Sequence, residues 1–195
     1  MNQRSAPICF TAGACTLCFS SENGRLESIS GLGRTLTLQH PLWAVETGRG
    51  EPHDLLLPSD PDLAFHYHMR ADDALDLHWE GPSLRVSVHC RAIEDMPALT
   101  IDVALEDHTI HAVRFPIVGN IPLLSDNGEQ DKLVLPWQNG FLIDNPLKNL
   151  LPLPDGPFWA GRFGGKYENE YPAQYSFQFM AYYSDAIGLY FSTQD

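Results

Sequence analysis

Basic residues are scarce in this chain: 12 Lys and Arg stand against 25 Asp and Glu, a formal net charge of −13. Such a surface repels phosphate backbones and anionic lipid headgroups, so neither nucleic acid nor a membrane surface is an expected partner. Neutral ligands, sugars included, stay open. Long apolar runs are missing as well, and nothing approaches the roughly 18 residues that a spanning helix requires. The N-terminal segment MNQRSAPICFTAGACTLCF carries one Arg and an apolar run broken by Cys, Thr and Gly. It reads as a poor secretory signal, and the cytoplasm is the default compartment. The sequence contains no GxSxG, no P-loop and no GxGxxG, so no cofactor is expected and no catalytic residue is assigned. Helical periodicity is also lacking: 15 Pro and 15 Gly are scattered through 195 residues, and no long stretch keeps a 3.6-residue period.

Cysteine is sparse: Cys9, Cys15, Cys18 and Cys90. The CTLC spacing at Cys15 and Cys18 invites a metal or redox reading. That spacing falls in a strand-like run, however, where residues three apart point to opposite faces. A second CxxC and a βαβ pattern are both missing. The expectation is therefore structural, reduced cysteine.

What is present is strand after strand. At 44% hydrophobic and 19% charged, the chain can bury a substantial core. Residues 14–20 form an apolar run, Glu22-Asn23-Gly24 supplies a turn, and residues 25–30 alternate, with Leu26, Ser28 and Ser30 set against Glu27 and Ile29. An Asn-Gly turn between two such runs is a hairpin signal. Gly31 and Gly33 interrupt it, and residues 35–39 alternate again. Residues 48–62 read as a Gly-, Pro- and Asp-rich loop. Short alternating segments follow at 63–70, 75–80, 84–93, 99–106 and 111–116. In 84–93, Leu84, Val86, Val88 and Cys90 share one face and Arg85, Ser87, His89 and Arg91 the other. This spacing of strands and turns predicts an all-β sandwich or barrel in a single domain, 1–195. Residues 117–175 read mostly as long loops, with six prolines from Pro122 to Pro157. Loops of that length tend to be functional or to pack against another domain. A final hairpin is expected from 176–183 and 188–193, turning at Ser184-Asp185.

Several segments carry a family resemblance: TLCFSSENGRLESISG, HAVRFPIVGNIPLL, DKLVLPWQNGFLIDNP and YPAQYSFQFMAYYSDAIGLYFSTQD. In this order they look like the N-terminal domain of glycoside-hydrolase-related proteins of uncharacterised function. The resemblance implies a large antiparallel two-sheet supersandwich, similar to the galactose mutarotase fold, normally followed by a (β/α)8 barrel that holds the catalytic acids. The chain would then be a non-catalytic front portion of a carbohydrate-active protein, incomplete on its C-terminal side, that shapes or docks to that barrel. Its partners would be carbohydrate or the barrel, and unpaired sheet edges could promote self-association. The alternatives are a stand-alone carbohydrate-binding module, a mutarotase-like sugar epimerase, and a structural interaction domain. The mutarotase catalytic His and Glu find no matching motif here.

Trp137, Gln138 and Asn139 lie between Pro136 and Gly140. An aromatic ring stacks on a pyranose and amides bond its hydroxyls, so this is a candidate sugar platform. Equally, Trp137 plugs one end of the sandwich, or the loop docks against the barrel. Trp159, Tyr167 and Tyr171, with Phe158 and Phe163, crowd a Gly-rich loop that marks an interface or a satellite core. His66 and His68 share one strand face, a spacing able to hold Zn²⁺ given a third ligand from His78, His89, His108 or His111; the more ordinary reading is a solvated outer face, and no metal is assigned. Asp72, Asp73, Glu94, Asp95, Glu106, Asp107, Asp144, Glu168, Glu170 and Asp185 mostly flank turns. Glycoside chemistry would need two acids about 5–5.5 Å or about 6.5–9.5 Å apart.

Overall fold

A computed structural model describes residues 6–38, 40–48, 54–71, 74–106, 108–119, 121–136, 140–149 and 179–192. The chain forms two compact units, Met1–Pro122 and Leu123–Asp195. The described residues are mostly β, with almost no helix, and the strands lie in antiparallel sheets.

Among the described residues, the first unit holds three sheets. One is the meander β1 (Ile8–Ala12), β2 (Cys15–Phe19), β3 (Leu26–Gly31) and β4 (Arg34–Thr37). A smaller sheet has β5 (Ala44–Thr47) between β6 (Asp54–Leu56) and β11 (Ile110–Arg114). The third is a second meander of β7 (Ala64–Ala71), β8 (Ala74–Glu80), β9 (Leu84–Ile93) and β10 (Met96–Leu105). The strands β1 and β2 pack against β9 and β10. Phe10, Leu17, Phe19, Leu75, Leu77, Trp79, Val86 and Val88 are all members of the core. Short up-and-down sheets of this kind are also the units of propeller blades, and the architecture is propeller-like in that sense.

Pleating explains these elements. The burial of β9 alternates along LRVSVHC, with Leu84, Val86, Val88 and Cys90 inward, as the period of two predicts. Along β3 the predicted alternation fails. A bulge lies there, since Cys18 pairs with Ser28 but Phe19 pairs with Leu26. The extra residue, Glu27, resets the pleat, so Leu26 is buried and Ile29 also packs on the core. Gly31 and Gly33 do not end the structure. Gly31 pairs with Arg34 around a two-residue turn in which Leu32 and Gly33 have φ of 51° and 75°, and β4 returns directly onto β3. The predicted 48–62 loop contains β6.

The strand β1, not anticipated from sequence, corrects the cysteine reading. It sets Cys9 opposite Cys18, and the two form a disulfide, with Cα atoms 4.2 Å apart. Cys15 lies on the other face of β2, as the three-residue spacing requires, and packs against the core. Cys15 and Cys90 are free thiols. Burial raises the pKa of Cys15 and pushes that of Cys90 up to about 12, so both are inert packing residues at neutral pH.

The Asn-Gly hairpin forms where expected and is locked onto the other meander. The fully buried Trp79 donates its Nε1–H to the Asn23 carbonyl at 2.9 Å. Gly24 has φ of +68°, and a Cβ there would lie 2.3 Å from Trp79 and 2.6 Å from Phe65. Gly24→Ala combines backbone strain with overpacking, and a loss of about 2–4 kcal/mol is expected in urea unfolding followed by Trp fluorescence. A change within about 0.5 kcal/mol would show that the turn does not seat on Trp79.

The second unit contains β12 (Lys132–Leu135), β13 (Phe141–Asp144), one helical turn, α1 (Pro146–Asn149), β14 (Phe179–Tyr183) and β15 (Gly188–Ser192). Its sheet has the order β13-β12-β14-β15. The terminal hairpin was expected. The elements β12, β13 and α1 fall inside 117–175 and place short paired strands in a segment read as mostly long loops: Leu133-Val134-Leu135 and Phe141-Leu142-Ile143 are too short to show a period but pair with each other.

Candidate functional site

The densest group of polar side chains lies on the outer face of the β7–β10 meander. Strand register assembles it. His66 sits opposite His78, His78 opposite Ser87, and Ser87 opposite Asp102. In the next row, His68 faces Asp76, Asp76 faces His89, and His89 faces Thr100. Leu75, Leu77 and Trp79 of β8 point to the core, so Asp76 and His78 between them must point outward.

Asp76 is the hub. Its side chain is fully covered, yet it lies on the outer face, roofed by cations. His89 Nδ1 is 2.7 Å and Arg91 Nη2 2.8 Å from Asp76 Oδ1. Arg70 Nε approaches Oδ2 at 2.5 Å as an ionic contact rather than a directed hydrogen bond. Burial alone would raise this carboxyl. Hydrogen bonds from His89 and Arg91, with the charges of Arg91 and Arg70, outweigh it and hold the group at about 2, below the ordinary 3.8. On its far side, His89 Nε2 lies 3.2 Å from the exposed carboxylate of Asp102. His78 Nδ1 bonds Ser87 Oγ at 2.9 Å, and its ring stacks on His66 with centroids 5.0 Å apart. Burial first, then the adjacent His66, lowers the pKa of His78, so the imidazole is neutral at neutral pH.

This arrangement organises charge and is poorly built for acyl or glycosyl transfer. Asp76 is occupied by Arg70, Arg91 and His89, and His89 faces a carboxylate at each ring nitrogen. The Ser87–His78 contact resembles a nucleophile and its base, but both lie on central strands whose backbone N–H groups serve the ladder. Since the Asp76 pKa is depressed on folding, its contribution is present above pH 3.8 and is lost as pH falls towards 2. Asp76→Asn should cost about 3 kcal/mol at neutral pH and flatten the acid dependence of stability in that window. An unchanged acid limb in the denaturation profile would remove Asp76 from that role.

In the second unit another carboxylate, Asp131, is buried. Its oxygens accept the backbone N–H of Leu124 at 2.9 Å and of Ser125 at 2.8 Å, and the Tyr182 hydroxyl donates to it. Burial pushes the Asp131 pKa up, but these donors prevail and lower it. For Tyr182, burial and then the Asp131 charge raise the pKa. The group clips the 124–131 turn to β14. Tyr182→Phe should cost about 1–2 kcal/mol and Asp131→Ala roughly twice that, since the latter orphans backbone donors. Equal costs in thermal unfolding would contradict the clip. Stability from Asp131 is present above the ordinary aspartate range and lost as pH falls through its depressed value.

Trp137, Gln138, Asn139, Trp159, Tyr167 and Tyr171, the predicted ligand or domain-contact residues, lie outside the described residues, as do Asp72, Asp73, Asp107, Glu168 and Glu170. His66 and His68 do share one strand face. The structure adds His78 and His89, from neighbouring strands, and not His108 or His111. Among the described residues, no group of three or more His, Cys, Asp or Glu converges as a metal centre. Glu94 and Asp95 form the β9–β10 turn, with φ of 49° and 62°. Glu106 pairs with Arg85 at 3.3 Å and Asp144 with Lys132 at 3.7 Å. No described helix is long and apolar enough to cross a membrane. Asp76 was not singled out from the sequence, and Arg91 was placed on the polar face of 84–93 without a role. Their signal was available as polar residues at alternate positions in successive hairpin-connected segments.

Comparison with known protein families and with curated protein sequences finds no match. The fold defines an all-β protein of antiparallel sheets.

Proposed function

We propose that this chain is a non-catalytic β-domain of a carbohydrate-active protein, of supersandwich type, that docks to a catalytic barrel. The observation that carries this reading is the sheet of the second unit, which presents large apolar side chains on both faces. Leu142 and Tyr190 lie on one face, in the cross-strand row Leu142–Val134–Ala181–Tyr190, and are 56% and 58% exposed. Phe141 and Met180 lie on the other face and are also exposed. A sheet that is apolar on both sides is suited to contact with another domain. Two further features support the reading: the facing meanders of the first unit are compatible with a sandwich, and Asp76 and Asp102 on its ionic face are engaged with Arg70, Arg91 and His89. The β14–β15 ending and the DKLVLP strand, β12, are neighbours in this sheet, so two segments of the family resemblance meet there.

A second reading, carbohydrate binding by the chain itself, is favoured by one contact. Phe179 and Tyr190 stack with centroids 5.3 Å apart, an aromatic pair on which a pyranose could lie. Purified protein is expected to release no sugar from aryl glycosides and to self-associate as its concentration rises. Leu142→Ser/Tyr190→Ser should abolish the association in sedimentation velocity. Aryl-glycoside turnover, or a monomer at all concentrations, would overturn the docking reading. Saturable saccharide binding lost in Tyr190→Ala would establish the second reading in its place.

A further inference from the structure

We infer that His66 and His78 form a two-imidazole capture site for a borderline divalent transition ion, Zn²⁺ or Ni²⁺, on the outer face of the β7–β10 meander. These residues are direct cross-strand partners on antiparallel strands. Directly opposed side chains start from Cβ atoms about 4.5–5.5 Å apart, so both rings can reach one ion at metal–nitrogen distances of about 2.0–2.1 Å. The rings already lie side by side, with centroids 5.0 Å apart and planes inclined by 24°. His66 is exposed and His78 is half-buried. From this stacked arrangement the solvent-facing His66 ring must rotate to turn the two Nε2 atoms towards a common point.

The surroundings of His78 favour metal binding over simple stacking. Ser87 Oγ sits 2.9 Å from His78 Nδ1. In the tautomer where Nδ1 donates to that oxygen, Nε2 keeps its lone pair and faces away from the bond. Metal-bound histidines characteristically have the other ring nitrogen fixed in this way. Among the nearby acids, Glu80, two residues along β8, acts on His78 through its charge, which favours a bound cation. Asp76 is held by Arg70, Arg91 and His89, and Asp102 contacts His89. Imidazole without carboxylate selects Zn²⁺, Ni²⁺ or Cu²⁺ over Mg²⁺ and Ca²⁺. With two protein nitrogens, the remaining coordination positions belong to water or to a ligand from a partner. His68, one row away opposite Asp76, is outside the pair and serves as its internal control.

The test is isothermal titration of tag-free, chelator-stripped protein at neutral pH with ZnCl₂, NiCl₂ and, as a control, MgCl₂. Circular dichroism monitors the fold of every variant. One site is expected for Zn²⁺ and Ni²⁺ and none for Mg²⁺. His66→Ala and His78→Ala should each weaken binding by at least about tenfold, Ser87→Ala by up to about tenfold, and His68→Ala by less than about twofold. His66→Gln, at an exposed position, provides a variant that folds normally if His78→Ala does not. Absence of Zn²⁺ and Ni²⁺ binding overturns the proposal. So does binding that survives His66→Gln, or that falls equally with His68→Ala.

Discussion

The first unit is organised around Trp79. Its indole is fully buried, meets Trp43 edge-on with centroids 5.5 Å apart, and lies 5.2 Å from Phe65. One polar atom on that large apolar body needs a partner, and the Asn23 carbonyl supplies it from the other meander. A single side chain therefore joins the β2–β3 turn, the β7–β8 hairpin and the segment entering β5. Glycine is required at position 24 because the ring occupies the space a Cβ would take. The neighbouring Trp43 buries its indole N–H without a hydrogen-bond partner, whereas that of Trp79 is paired, and this bond fixes where the hairpin sits as well as holding it there.

Orientation of the polar face follows from the same anchor. With Trp79, Leu77 and Leu75 turned inward, the pleat leaves His78 and Asp76 no other direction than outward. Flanking strands, paired in register, then deliver His66, His68, Ser87, His89 and Arg91 alongside. Asp76 becomes buried because its neighbours' side chains close over it, though it sits away from the apolar core. Its burial is thus reversible by charge: protonating it removes the reason for Arg70 and Arg91 to gather. Asp131 is held differently, by two backbone N–H groups and a phenol, which fixes a turn and leaves no cation in the arrangement.

Much of this was legible in the sequence wherever strands were long enough to show their period. The segment 84–93 was placed residue for residue, and the Asn23-Gly24 turn and the terminal hairpin were anticipated. Short strands defeated the reading: Lys132–Leu135 and Phe141–Asp144 have four residues each, too few for alternation to stand out against a Pro-rich background. The bulge at Glu27 was invisible because an inserted residue leaves composition unchanged while reversing the faces that follow. The disulfide was missed for a related reason. Cys9 and Cys18 become neighbours only once β1 is recognised, and without it CTLC is the nearest cysteine pair in view. For the candidate site, His66 and His68 were singled out as same-face partners, whereas the contact that forms is across strands, between His66 and His78. Sequence spacing reports on one strand, and register, which decides the partner on the next, is set by turns and bulges.

The two exposed sheets differ in what they can contact. The outer face of β7–β10 is saturated by its own ion pairs, so an apolar partner laid over it would have to desolvate Arg70, Arg91 and Asp102 without offering replacements. That face is suited to water, small ions and polar ligands. The β12–β15 sheet carries exposed Leu142 and Tyr190 on one side and Phe141 and Met180 on the other. Covering those side chains removes apolar area from water at roughly 25 cal/mol per Å², with few charges to strip. Both faces of the terminal sheet are thus suited to apolar contact and the outer face of β7–β10 to ionic chemistry, while the first unit exposes further apolar side chains away from that face, Leu32 and Leu55 among them.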